Sequence, residues 1–374
     1  MKRLLLTLVL TTTTAALAQQ PAPSPAENPP DTITVRSTLV LVPALVKTKS
    51  GQLVYTLKAN DFLLTDDGVP QPLHLDEDTG SQPLALVICL QTGSSGAERL
   101  DQYSGLGPML DNLLGGVPHK VAVVAFDSTP TLVHRFSANL DSIATTLATQ
   151  DPGDPQANVL DAINFSVDLL RTQPTTYRRA ILLISEEHDT ASHTTLDQAL
   201  RAISDTNTAI YTLAFSSTKS GIGHEASKLS SNEPGPEHGC FSHDPKTDPG
   251  VKDDGTVAPA EESKGTQYFD CFAQLLPPLR LAKIAEIAAR NALRKNVSES
   301  VAKLTGGEAF KFSSAKQLQR DLITLSNHIP NRYVLSFHPQ NPHPGLHAIS
   351  LSLKNYDNLT IEARSSYWVD GGTP

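Results

Sequence analysis

Three groups of residues in this 374-residue chain are of types that could do chemistry. The first is Gly93-Ser94-Ser95-Gly96, which follows an apolar run and precedes a helical pattern. Serine hydrolases hold their nucleophile on such a strand-to-helix turn, but the elbow needs Gly-x-Ser-x-Gly, and Ala97 stands at the last position. His188 and Asp189 are adjacent, and adjacency alone gives no base-and-orienter geometry. The second group is Asp61, Asp66 and Asp67, carboxylates that a cation could use. They surround an Asp-Gly turn and read as solvated turn residues. The third is His224, His238, His243 and Asp244, whose spacings match no standard zinc site and which read as solvated loop residues. Asp248, Asp253 and Asp254 do not fit the calcium-loop template. The chain has no Gly-x-x-x-x-Gly-Lys phosphate loop and no His-Glu-x-x-His zinc helix, so no enzyme is expected.

Composition narrows the class. Lys and Arg number 30 against 39 Asp and Glu, a formal charge of −9, which leaves no basic footprint for nucleic acid. Hydrophobic residues make up 39%, enough for a sizeable core. Three Cys cannot build a disulfide framework. Met1-Lys2-Arg3, the apolar run from Leu4 and Ala16-Leu17-Ala18 read as a secretory signal over residues 1–18, cut before Gln19. Cleavage removes Lys2 and Arg3 and leaves 28 basic against 39 acidic residues, or −11. No later stretch has about 18 unbroken apolar residues, so no membrane span is expected after cleavage, and the mature chain is expected to be secreted or periplasmic. Residues 19–32 form a Pro-rich linker.

The elements that must position these residues follow from patterning. Residues 33–80 are β-rich, with strands at 38–46, 53–57 and 61–65 and a hairpin at Asp66-Asp67-Gly68 that returns over 69–75. Residues 84–90, 120–126, 179–184 and 209–215 are nearly continuous apolar runs, as strands covered on both faces should be. They alternate with helical patterns at 97–114, 140–147, 158–171 and 196–203. This alternation predicts an α/β fold: a doubly wound, parallel or mixed sheet with helices on both faces and its ligand sites at the strand carboxyl ends. Residues 218–277 interrupt it as a Gly-, Pro- and charge-rich loop insertion. Cys240 and Cys271 flank that insertion and are the natural disulfide pair, while Cys89 lies in a strand as an apolar filler. Leu279 to Leu304 reads as helix, 309–312 as strand, 315–325 as helix and 332–337 as the last strand of the sheet. Residues 347–353 and 359–368, in the C-terminal segment 338–374, read as a closing antiparallel pair.

This order resembles the bacterial, Acidobacteria-type VWFA-related domain proteins, in which a β module precedes a von Willebrand factor A-like domain. The residues that carry the resemblance are Asp61-Phe62, Asp67-Gly68-Val69-Pro70-Gln71, the strand at 84–90, Leu160-Asp161-Ala162-Ile163, Ala180-Ile181-Leu182-Leu183, Leu304-Thr305-Gly306-Gly307-Glu308-Ala309-Phe310 and Tyr333-Val334-Leu335-Ser336-Phe337. The resemblance implies an A-like domain over 83–337 and a small antiparallel β module built from residues 33–80 and the C-terminal segment. It also implies a metal-ion-dependent adhesion site, in which Asp-x-Ser-x-Ser, a Thr and a late Asp supply oxygen ligands to a hard divalent cation. The matched positions here are Gln91, Gly93, Ser95, Ala157 and Ser185. None is anionic, so the site reads as degenerate, with no cofactor expected. Magnesium or manganese would need shifted ligands from Asp154, Asn158, Glu186, Glu187 or Asp189. The expected function is a non-enzymatic protein-binding or scaffold protein with an unidentified protein partner and no need of metal. The alternatives are divalent-dependent adhesion through those shifted residues and hydrolysis at Ser95.

Overall fold

A computed structural model describes residues 39–76, 82–114, 116–215, 296–340 and 342–370. All of them lie in one of the two units into which the chain divides, Thr38–Pro374. The expected signal, the Pro-rich linker, the inserted loop with Cys240 and Cys271, and most of the helix expected from Leu279 fall outside the described residues.

The strands run in order β1 (Val40–Thr48), β2 (Phe62–Asp66), β3 (Val69–Gln71), β4 (His74–Asp76), β5 (Leu84–Gln91), β6 (His119–Phe126), β7 (Pro130–Ser137), β8 (Arg178–Glu186), β9 (Ala209–Phe215), β10 (Ala309–Lys311), β11 (Tyr333–Phe337), β12 (Gly345–Leu353), β13 (Leu359–Ala363) and β14 (Ser366–Val369). The α-helices are α1 (Leu100–Tyr103), α2 (Leu110–Leu114), α3 (Leu140–Ala148), α4 (Val159–Arg171), α5 (Leu196–Thr206), α6 (Val297–Thr305) and α7 (Ala315–His328).

The expected α/β fold is present. Six strands form a sheet in the order β10-β9-β8-β5-β6-β7, parallel throughout except for the antiparallel edge strand β7. Every residue of β5 is buried, which is what its unbroken apolar run requires of a strand covered on both faces. Leu84, Leu86, Ile88 and Leu90 pack toward α1, α2, α3 and α7, while Ala85, Val87 and Cys89 pack toward α4, α5 and α6. Burial pushes the Cys89 thiol up to about 12, so it packs as a small apolar group.

The chain leaves β5 for β6 on one side and later returns to β8 on the other. The carboxyl ends of β5 and β8 therefore flank the topological switch point, where open α/β sheets form their binding crevice. Gln91 and Glu186 are the last residues of these two strands.

The β module is two four-stranded antiparallel sheets, β13-β1-β11-β4 and β14-β12-β2-β3, whose shared core includes Val42, Ala44, Phe62, Leu64, Leu335 and Phe337. It departs from expectation in four ways. Residues 53–57 form no strand beyond one bridge from Leu53 to Lys47. The return strand 69–75 breaks after Gln71, where Pro72 cannot donate to a ladder, and its halves join different sheets. β11 pairs with β1 and β4, so it closes the module rather than the central sheet, whose outer parallel strand is β10. The closing segments pair with each other only in part: the start of β12 joins β14, the rest of β12 joins β2, and β13 joins β1 instead.

The hairpin itself is as expected. Asp67 and Gly68 take φ of 47° and 81°, the double positive φ of a tight two-residue hairpin turn. Asp66 and Asp67, however, are not solvated: they are 5% and 6% exposed. Strands from the far end of the chain cover them, a contact that local turn chemistry could not reveal.

Candidate functional site at the switch point

The loops at the carboxyl ends of β5, β6 and β8 form a network built around two short side chains. Gln91 is fully buried, and Glu186 is 1% exposed. The Gln91 amide donates from Nε2 to Glu186 Oε1 (3.1 Å) and to Gly93 O (3.1 Å), and its Oε1 accepts from the Glu186 backbone N–H (2.7 Å). Ser95 N–H donates to the same Glu186 Oε1 (3.0 Å). The Tyr103 hydroxyl donates to Gln91 O (3.2 Å), and burial pushes its ionisation well above the ordinary range. One carboxylate oxygen thus gathers a side-chain amide and a backbone N–H where the two central strands end.

The resemblance aligns its late acidic position with Ser185; in the structure it is the neighbouring Glu186 that reaches Gln91. Side chains alternate along a strand. Ser185 turns toward α6, where its hydroxyl meets Ser298 Oγ (3.0 Å), and Glu186 therefore projects to the Gln91 side. Ala157 is buried and contributes only backbone: its N–H donates to Thr190 Oγ1 (2.9 Å), and its carbonyl accepts from Thr190 N–H (3.1 Å).

Gly93 marks a close approach of loops. A Cβ there would lie 2.2 Å from Gln156 O and 2.6 Å from Asp154 O. The residue type is set by packing of the 91–96 loop on the 151–157 loop, and not by a ligand.

The other carboxylates of these loops hold turns. Asp154 accepts from Ser128 N–H (3.2 Å), Gln156 N–H (3.0 Å) and the Ser128 hydroxyl; that hydroxyl bond is the main reason its carboxyl is held below the ordinary value. Asp189 accepts from Leu160 N–H (3.0 Å) at the start of α4 and from Ser192 N–H (3.2 Å) and its hydroxyl (2.6 Å). Asn158 donates to Ser128 O (2.9 Å). Glu187 pairs with Lys311 (2.5 Å), and the Glu187 hydrogen bond raises that lysine above its usual range. Of the residues singled out as shifted ligands, only Glu186 reaches the Gln91 and Ser95 positions. Glu186 ends β8, and strand parity decides which neighbour points inward.

The β module sits at the other end of this sheet. Leu41 N–H donates to Asn207 Oδ1 (3.3 Å), just before β9 begins. Arg364 is buried and donates to Ser366 O (2.6 Å), Leu41 O (3.3 Å), Asn207 Oδ1 (3.0 Å) and Ser204 Oγ (3.2 Å). The switch-point loops therefore face away from the module. Among the described residues, no helix is long and apolar enough to cross a membrane.

No family model and no curated protein matches the chain. Among solved structures, conserved hypothetical protein BatB from Bacteroides thetaiotaomicron is similar at 12% identity and a TM-score of 0.37, over 65% of this chain and 97% of that one. An aerotolerance-related membrane protein from Bacteroides fragilis is similar at 14% identity and a TM-score of 0.34, over 65% and 98%. Proximal thread matrix protein 1 from the mussel byssus is similar at 9% identity and a TM-score of 0.39, over 77% and 50%. These are distant likenesses.

Proposed function

We propose that this chain is a non-enzymatic, secreted or periplasmic binding or scaffold protein that engages a protein partner through its switch-point loops without a divalent ion. The observation that carries the reading is the Gln91–Glu186 pair. In a metal-dependent adhesion site the first position is a carboxylate that faces a cation. Here that position is a neutral amide, and its donor already points at an internal carboxylate oxygen. A second donor, Ser95 N–H, points at the same oxygen. Carboxylate oxygens satisfied by N–H donors have less to give a hard cation, which wants several free oxygens. The surrounding carboxylates are occupied in holding turns, so the loops present a fixed surface.

A photo-crosslinker placed at exposed Gln156 or His193, beside the switch point, tests this against one at exposed Ser350 on β12. The expected result, in the native envelope, is one crosslinked species from the first two positions that persists in EDTA and is missing from the third. Capture that EDTA abolishes and magnesium restores would replace this reading with metal-dependent adhesion through Glu186. Equal capture from all three positions would remove the switch point as the binding face.

A further inference from the structure

The hairpin turn between β2 and β3 meets the C-terminal strands at a buried ionic cluster that the switch point does not involve. His347, on β12, is 2% exposed. Its Nδ1 lies 2.7 Å from Asp67 Oδ2 and 3.2 Å from Asp66 Oδ1, and its Nε2 lies 2.8 Å from His343 O. Carboxylate and carbonyl oxygens only accept, so each ring nitrogen carries a hydrogen, and a ring with both hydrogens is an imidazolium. Between an imidazole and a carboxylate the proton belongs to the imidazole, the stronger base. The remaining carboxylate oxygens already have donors: Asp66 Oδ2 takes the Tyr367 hydroxyl (2.7 Å), and Asp67 Oδ1 takes Ala348 N–H (2.9 Å).

The groups around the ring fix where the charge sits. Among the described residues, those that face it are Asp66 at the end of β2, Asp67 in the turn, His343 in the segment before β12 and Tyr367 on β14; Arg364, between β13 and β14, bears on Tyr367. His343 stacks on His347 with centroids 4.1 Å apart and planes 22° from parallel, and two stacked imidazolium ions repel. His343 needs only one hydrogen, on the Nε2 that lies 3.2 Å from Asp67 Oδ2. A third of its side chain is exposed, so solvent reaches Nδ1 beside Pro344 O (3.1 Å). Burial and the Asp66 hydrogen bond push the ionisation of Tyr367 far above its ordinary range, so it stays a neutral donor. The positive charge therefore rests on His347, between two carboxylates and stacked on the Tyr367 ring (4.7 Å).

We propose that the β module is closed by a proton: its N-terminal hairpin and C-terminal strands join by taking up one proton on His347, and the joint loosens as the surroundings turn alkaline. Without that proton one ring nitrogen would set a lone pair against an acceptor. The two buried carboxylates would then have no cation between them, and a buried charge that has lost its partner is costly. Asp66 and His347 are 281 positions apart, so the proton ties together segments from opposite ends of the described unit. Burial alone would lower the His347 value, but the hydrogen bonds to Asp66, Asp67 and the His343 carbonyl outweigh it and raise it from the ordinary 6.5 to about 10. A group raised in the folded state adds stability that is fully present below its unfolded value and is lost as pH rises through its folded one. For His347 that window opens at 6.5 and closes at about 10, on the alkaline side of neutrality.

Urea unfolding of the full-length chain at stepped pH tests this, followed by the fluorescence of Trp368, the single tryptophan, which lies on β14. Between about pH 7 and 8, below the main titration of cysteine, tyrosine and lysine, the unfolded imidazole has lost the proton that the folded one keeps. The folding equilibrium constant of wild type should therefore fall about tenfold more per pH unit than that of His347→Gln, whose amide donates without charge. Equal slopes in the two chains would overturn the proposal, even if His347→Gln is less stable at every pH. Should His347→Gln fail to fold, wild type alone decides by NMR of chain labelled with 15N in its histidine rings. At pH 8.5 one ring should show both nitrogens protonated in the folded chain and none should in urea. Rings that are all neutral in the folded chain at that pH would equally overturn it.

Discussion

At the residue scale, the pair Gln91 and Glu186 shows how one amide can set the chemistry of a crevice. The amide uses both ends: its nitrogen reaches the Glu186 carboxylate, and its oxygen takes the Glu186 backbone N–H. Removing one partner strands the other, because a buried polar group without its hydrogen bond loses the full desolvation cost. Gln91→Leu should therefore destabilise the chain by about 1–3 kcal/mol in urea unfolding. Gln91→Leu with Glu186→Leu should cost less than the sum of the two single changes, because neither variant residue then needs a partner. A double-mutant cycle that proves strictly additive would show that the two side chains do not depend on each other.

What the sequence reveals also differs residue by residue. Gln91, Gly93 and Ser95 can be located from the sequence because they lie at and just after the end of an unmistakable strand. Glu186 could be named only as one of several neighbours, since its inward direction depends on where β8 ends. Asp66 and Asp67 were misread. Their turn chemistry is local and legible, but their burial depends on His343, His347 and Tyr367, which come from the segment before β12, from β12 and from β14, far along the chain. No local pattern encodes that meeting.

At the element scale, long apolar runs were legible and short amphipathic ones were not. β5, β6, β8 and β9 announce themselves because a strand buried on both faces has no room for polar residues. β11 is five residues with an ordinary strand composition that either sheet could accept. Arg332, which precedes it, is buried against Glu308 (2.6 Å) and Gly306 O (2.8 Å). Glu308 also meets His328 Nδ1 (2.9 Å) at the end of α7, so this carboxylate ties β10, α7 and β11 together. Burial alone would raise Glu308, but the His328 hydrogen bond and the charges of Arg332 and Lys47 outweigh it and hold the group below its ordinary 4.5. A carboxyl depressed in the folded state adds stability above its unfolded value and loses it as pH falls through the folded one. Wild type should thus lose stability progressively below about pH 4.5. Glu308→Gln should show a flatter acid limb in denaturation followed at stepped pH. An unchanged limb would mean that other groups dominate acid unfolding.

At the scale of the whole described unit, the β module is made by both ends of the sequence, with the α/β sheet between them. β1 takes β13 and β11 as neighbours, and β2 takes β12. A chain ending at Phe337 would lose β12, β13 and β14 together, along with the Arg364 contacts to α5. Such a chain should bind a hydrophobic dye that the full-length protein does not, because the shared core of the module is left open on one side. Equal dye binding by both chains would mean that the first four strands and β11 close that core unaided.

The register of β2 with β12 has a consequence in time. Asp66 pairs with Ile349, so a segment made early must wait for one made about 280 residues later. At a synthesis rate of roughly 5–20 residues per second, that wait is roughly 15–60 s. The central sheet, whose neighbours are mostly close in sequence, can form within that interval and bring the two halves near each other. Until then β1 and β2 present unpaired edges to every other nascent chain. Whatever escorts this polypeptide during synthesis therefore has its main task at the beginning of the sequence, long before the final strands exist to relieve it.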